Sequence, residues 1–178
     1  MIVKPFDGIW PRIHPEAFVA ENAAIIGDVE IGAGSTIWYN VAIRGDVNLV
    51  RIGTESNVQD GTVIHVSSDR KGDGGSPTRI GSRVSIAHMC LIHGATLEDG
   101  SFVGSGAVVM DDVVVESGAM VAAGALVTPG KRVPRGELWA GRPAKLFRHL
   151  TPEDLATFPG IAERYVKLGA KYRAAARG

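Results

Sequence analysis

A chain of 178 residues with 19 basic and 19 acidic side chains carries no formal net charge, and its basic residues are not clustered. That balance argues against the basic surfaces that nucleic acids and anionic membranes recruit, and the length suits one domain. No apolar run reads as a membrane span or secretory leader, and the single cysteine, Cys90, excludes an intrachain disulfide and suits a reducing cytoplasm.

In chain order, Ile25, Ile31, Ile37 and Ile43 open a six-residue register. Ile52, Val58 and Ile64 continue it, then Ile80, Ile86 and Ile92, then Val103, Val109, Val115, Val121, Val127 and Val133. Val and Ile supply only 34 of the 178 residues, so the register is not chance. It is the hexapeptide signature of a parallel β-helix, with one short strand and one corner per repeat. Three repeats make a triangular coil whose β-branched residues point inward. Four positions later a second inward slot holds Val29, Ser35, Val41, Val47, Ser56, Thr62, Val84, Cys90, Thr96 and Ala107. Cys90 therefore reads as a small buried residue rather than a nucleophile. Gly32, Gly53, Gly81 and Gly104 suit tight corners. The pattern resembles the left-handed β-helix proteins, and the hand is implied by that resemblance.

The repeat ends after Val133, giving a β-helix over residues 1–146 and a helical segment over 147–178 of the same domain. Thr151-Pro152-Glu153-Asp154 reads as a helix start, with Thr as N-cap and acids in the first turn. Pro159-Gly160 predicts an interruption. A second helix should then present Ile161, Tyr165, Leu168 and Tyr172 on one face and pack along the prism. Lys167, Lys171, Arg173 and Arg177 read as a solvated face.

Counting coils places the histidines. Ile43, Ile64 and Ile92 fall on one prism face if three extra residues lie within Val47–Arg51 and ten within Val66–Arg79. The residues that follow them, Arg44, His65 and His93, then project outward from that face on successive coils, about 4.8 Å apart. His65 and His93 can hold one ion. His88 belongs to the preceding face, so it would join them only from a neighbouring subunit, and three such contacts close a trimer. Three imidazoles leave a tetrahedral metal one open position, as in catalytic zinc sites. His14 and His149 lie outside the repeat without such partners.

Arg44-Gly45-Asp46, Asn57-Val58-Gln59-Asp60-Gly61, Ile64-His65 and Ala87-His88-Met89-Cys90-Leu91-Ile92-His93-Gly94 resemble the γ-class carbonic anhydrase family. The likeness extends from Pro11-Arg12-Ile13-His14-Pro15 to the C-terminal helix. It implies a homotrimer that hydrates CO2 reversibly to bicarbonate with a metal-bound hydroxide. His65 and His93 of one subunit and His88 of the next would bind Zn2+, with Fe2+ or Co2+ as alternatives. Gln59 would hydrogen-bond the metal-bound water or substrate. Arg44, Asp46 and Asp60 would form an ion-pair network at the subunit boundary, and Tyr165 would reach the metal pocket.

Two features depart from the family's most active members. Val47 stands where they carry a glutamate, and segment 67–77 lacks the glutamate of their acidic loop. Asp69 or Asp73 could relay protons instead. Three alternatives follow: a hexapeptide acyltransferase using one histidine as general base, a thioesterase-type hydrolase, and a metal-containing trimeric scaffold.

Overall fold

The computed structural model describes residues 1–69, 72 and 74–175; Asp73 and Arg177 lie outside these described residues. The chain winds into a parallel β-solenoid of about eight turns, followed by one C-terminal helix. Most turns are built from strands of two or three residues joined by tight corners. Three inward columns form the core. On the first, Ile25, Ile43, Ile64, Ile92, Val109 and Val127 pair in register and are at most 1% exposed. Ile31, Ile52, Ile80, Leu97, Val115 and Val133 form the second, and Ile37, Val58, Ile86, Val103 and Val121 the third. Burying each such side chain contributes about 1.5–3 kcal/mol before entropy is counted.

The second inward slot is occupied mostly as the sequence predicts, and its polar members are satisfied. Ser35 Oγ donates to the Gly53 carbonyl at 2.7 Å and Ser56 Oγ to the Gly81 carbonyl at 2.8 Å. The glycine corners are needed for close approach: a Cβ on Gly53 would lie 2.7 Å from the Gly81 carbonyl group. Two members of the slot are corrected. Gly27 pairs with Gly45 but Val29 with Val50, so the three extra residues lie between Gly45 and Val50. Val50 takes the inward place, and Val47 is 47% exposed. Farther on, Ile92 and Leu97 are inward residues only five apart, so Ala95 fills the slot. Thr96 pairs with Arg79 and Val114 on the outer side. The ten-residue insertion is as expected, since Val50 pairs with Thr78 and His65 with His93.

At the C-terminal end, strand Glu137–Gly141 pairs with Met120–Val121 and turns back antiparallel through Ala144–His149. The hairpin covers the open end of the prism and stops further parallel pairing. The helix Pro152–Ala175 begins at the expected cap: Asp154 N donates to Thr151 Oγ1 at 3.2 Å, and Thr151 N returns a bond to Asp154 at 2.8 Å.

The predicted break at Pro159-Gly160 is absent; one helix runs through it. Phe158 and Ala162 are buried on either side of Pro159, and Phe158 stacks on Phe102 at 5.4 Å. Packing of these flanking turns offsets the cost of an interior proline, about 3 kcal/mol. The face that meets the prism is Phe158, Ala162, Tyr165 and Gly169, with Tyr172 against Phe18 and Trp38. Leu168 is exposed. No helix among the described residues is long and apolar enough to cross a membrane.

Candidate metal centre

His65 and His93 end the adjacent strands Val63–His65 and Leu91–His93 and pair in direct register. Ile64 and Ile92 are fully buried beside them, so each histidine points outward from an anchored strand. His65 Nδ1 and His93 Nε2 face each other at 3.1 Å. Two nitrogens at about 2.0–2.1 Å from one tetrahedral cation stand roughly 3.3 Å apart, so the pair fits a zinc-like ion.

The outer nitrogens are both held by carboxylates. His65 Nε2 meets Asp46 Oδ1 at 3.0 Å, and His93 Nδ1 meets Asp111 Oδ1 at 2.8 Å. Arg44 donates to the other oxygen of Asp46. If both outer nitrogens donate to their carboxylates, the facing nitrogens present two lone pairs to each other. If His65 donates to His93 instead, it turns a bare nitrogen toward Asp46. Either arrangement is short of one positive charge, which a proton or a metal cation between the rings would supply. Carboxylates behind metal-binding imidazoles fix ring orientation in this way. Burial acts to raise the Asp46 carboxyl, but hydrogen bonds from His65 and Arg44 outweigh it and hold the group below the usual carboxylate range.

His88 lies apart, in the corner after strand Ser85–Ile86, beside Met89 at φ 60°. Its Nδ1 meets Asp60 Oδ2 at 3.1 Å, which leaves Nε2 for an outside partner. Among the described residues no three His, Cys, Asp or Glu side chains of one chain gather into a metal-holding group. The expected residues therefore form two groups within the chain. One comprises Arg44, Asp46, His65 and His93; the other pairs Asp60 with His88, while Gln59 bonds to Asn57. Asp60 does not join Arg44 and Asp46 within one chain; it also accepts a bond from Tyr39 N at 3.3 Å.

Gln59 is 5% exposed, and its amide nitrogen donates to Asn57 Oδ1 at 2.9 Å. Asn57 in turn donates to Ser85 Oγ at 2.8 Å, so the amide is held from behind. Tyr165 packs edge-on to Trp38 at 5.6 Å. Burial, and then the charge of Asp60, raise its hydroxyl above the usual tyrosine value. Cys90 is buried, and burial pushes its thiol up to about 11, as suits a structural residue.

Asp111 and Asn57 were not marked by the motif as carriers of a role. Ile92 pairs with Val109, so one coil carries His93 to Met110, and Asp111 is the next residue; coil counting from His93 leads to its neighbourhood. Asn57 lay inside the motif, and its bond to Gln59 follows the two-residue strand spacing.

No family model matches the chain. It is 47% identical over 158 residues to gamma carbonic anhydrase 2, mitochondrial, of Arabidopsis thaliana, covering 89% of this chain and 57% of that one. The chain thus spans less than two thirds of that relative's length. A protein named carbonic anhydrase from Geobacillus kaustophilus is 36% identical over 173 residues, 97% of this chain and 92% of that one. Among solved structures, a hexapeptide transferase family protein from Anaplasma phagocytophilum superposes with a TM-score of 0.90 at 44% identity, covering 96% and 98% of the two chains.

Proposed function

We propose a function from one premise: this chain belongs to the gamma carbonic anhydrase family. In our reading it is a metal-dependent enzyme that interconverts CO2 and bicarbonate, a homotrimer with one site at each of three subunit boundaries. The observation that carries this reading is the facing pair His65 Nδ1 and His93 Nε2, with a carboxylate behind each ring. His65 and His93 would hold the cation together with His88 of the partner subunit. Zinc is the first expectation, and imidazoles also suit iron or cobalt. A bound cation of this kind supplies an acidic water and hence a nucleophile near neutral pH.

The chain's own groups prepare the site. Asp46, steadied by Arg44, orients His65. Gln59, held by Asn57, would hydrogen-bond a metal-bound water or the substrate, and Tyr165 would reach the metal pocket. The trimer reading is supported by an apolar outward column beside the histidines: Ala42, Val63, Leu91, Val108 and Leu126 pair in register. Val63 is 42% exposed there, the kind of surface a subunit contact covers. Joining this face to the His88 corner of the next subunit is a heterologous contact, which closes into a ring.

Proton export is the weak step. Val47 is an exposed hydrophobe where a glutamate would serve, and Asp69 is the acidic residue described in the loop. Slow hydration that added imidazole buffer accelerates is the expected result of stopped-flow CO2 assays. Val47 also favours a second reading, a metal-holding trimer whose main role is not hydration. Full metal occupancy with no hydration, even in imidazole, would select it. Metal-free protein that turns over acyl-CoA would overturn both in favour of acyl transfer or thioester hydrolysis.

A further inference from the structure

Asp111 lies outside every motif on which the proposed function draws, yet it makes the shortest carboxylate contact to the facing histidines. Its Oδ1 accepts from His93 Nδ1 at 2.8 Å and from Ser67 Oγ at 2.8 Å. Ser67 stands at the neck of the ten-residue insertion. Its backbone exchanges two hydrogen bonds with Ser76, at 2.9 and 3.2 Å. Ser76 Oγ then donates to Asp112 Oδ1 at 2.8 Å. Asn48 Nδ2 closes the neck from the other side through the Ser67 carbonyl at 3.1 Å and the Gly74 carbonyl at 2.9 Å.

The backbone makes room for this contact. Gly94, directly after His93, has φ +56°, and any Cβ there would collide with Asp111 Oδ1 and lie 2.7 Å from Ser76 Cβ. The insertion is therefore tied through one carboxylate oxygen to the ring that faces His65. A histidine with a free outer nitrogen can rotate or change tautomer, and either change removes the lone pair aimed at the cation.

We propose that Asp111 is a positioning residue: it fixes His93 with Nε2 directed at the shared cation, and the loop neck fixes Asp111 through Ser67. The inference rests on the reading of His65 and His93 as metal ligands, so its test uses two separate readouts. The first is the tautomer of His93 in metal-free, histidine-labelled protein, read by nitrogen-15 NMR of the imidazoles. The second is zinc affinity, read by competition with a chromophoric chelator.

Wild-type protein is expected to carry the His93 proton on Nδ1. Asp111→Ala should lose that preference and leave His65 unchanged. Zinc should bind about 10- to 100-fold more weakly, the range seen when a group behind a metal ligand is lost. Asp111→Asn keeps an oxygen acceptor and should recover most of the affinity. Ser67→Ala should weaken zinc binding only a few-fold, since one neutral hydrogen bond is lost; this variant and Asp111→Asn keep the test open if Asp111→Ala fails to fold. An unchanged His93 tautomer and unchanged zinc affinity in Asp111→Ala would overturn the proposal. Zinc content unaffected by His93→Ala would instead overturn the reading of the metal centre, and the metal-free tautomer measurement would still decide the role of Asp111.

Discussion

The coils from Ile43 to Leu97 and those from Val103 to Val133 share one repeat and differ in register. Beyond Val103 every inward step is six residues, and the corners are uniform turns. Between Ile43 and Leu97 the chain gains three residues before Val50, gains ten before Thr78 and loses one before Leu97. Most of the candidate residues sit among those irregularities. Asp46 lies in the first insertion, Ser67 and Ser76 form the neck of the second, and Gly94 lies within the shortened step. A regular solenoid presents surfaces that differ only in side chains. Each departure here brings a carboxylate or a loop neck behind a histidine, which a strict repeat does not do. The core beneath is the same in both regions, so the irregular coils keep the support of the regular ones.

The comparison can be broken first at the ligands. His65→Ala or His93→Ala should abolish metal uptake, whereas Val114→Ala on the regular coils should leave it unchanged; elemental analysis of the purified protein checks both. Next comes the shared core. Ile64→Ala should cost about 2–5 kcal/mol in urea unfolding, and Val121→Ala less, because fewer methyl groups are removed. If the irregular coils were loosely packed, the Ile64 variant would cost far less.

A smaller contrast lies in two glycines with positive φ. Gly94→Ala should cost about 1–3 kcal/mol and should also weaken metal binding, because its side chain would displace Asp111. Gly106→Ala, at φ +69° with open space, should cost only about 1–2 kcal/mol and spare the metal. The smallest effect concerns pH. The folded-state Asp46 carboxyl is held below its usual range, which is near 3.9, so its contribution is present above that value and fades as pH falls through the lower one. In metal-free protein, Asp46→Asn should therefore be less stable than wild type at neutral pH. The difference should vanish at the acid end of a urea-pH series.

Much of this was legible from the chain. The Ile and Val columns, both insertions and the stacking of His65 on His93 follow from spacing alone, because a β-helix converts sequence distance into coil number. The shortened step was hidden because Leu97 is not β-branched and breaks the visual register, which misplaced Thr96. Val47 matched the slot by residue type, but the insertion that ejects it begins at Asp46, one residue earlier than expected. The unbroken helix depends on buried Phe158 and Ala162, whose packing local propensity does not report. Asp111 was missed because it lies in the corner after Met110, the residue one coil beyond His93, and only the shortened coil brings its carboxylate to the ring.

The central claim is that each site joins two half-sites: His65 and His93 of one subunit with His88 of the next. Mixing His88→Ala and His93→Ala chains tests it directly, by unfolding and refolding the two together and counting metal per assembly by native mass spectrometry. Each variant alone should bind no metal, and each mixed trimer should regain one intact site. Mixed assemblies that remain empty, or His88→Ala protein that keeps its full metal content, would contradict the claim.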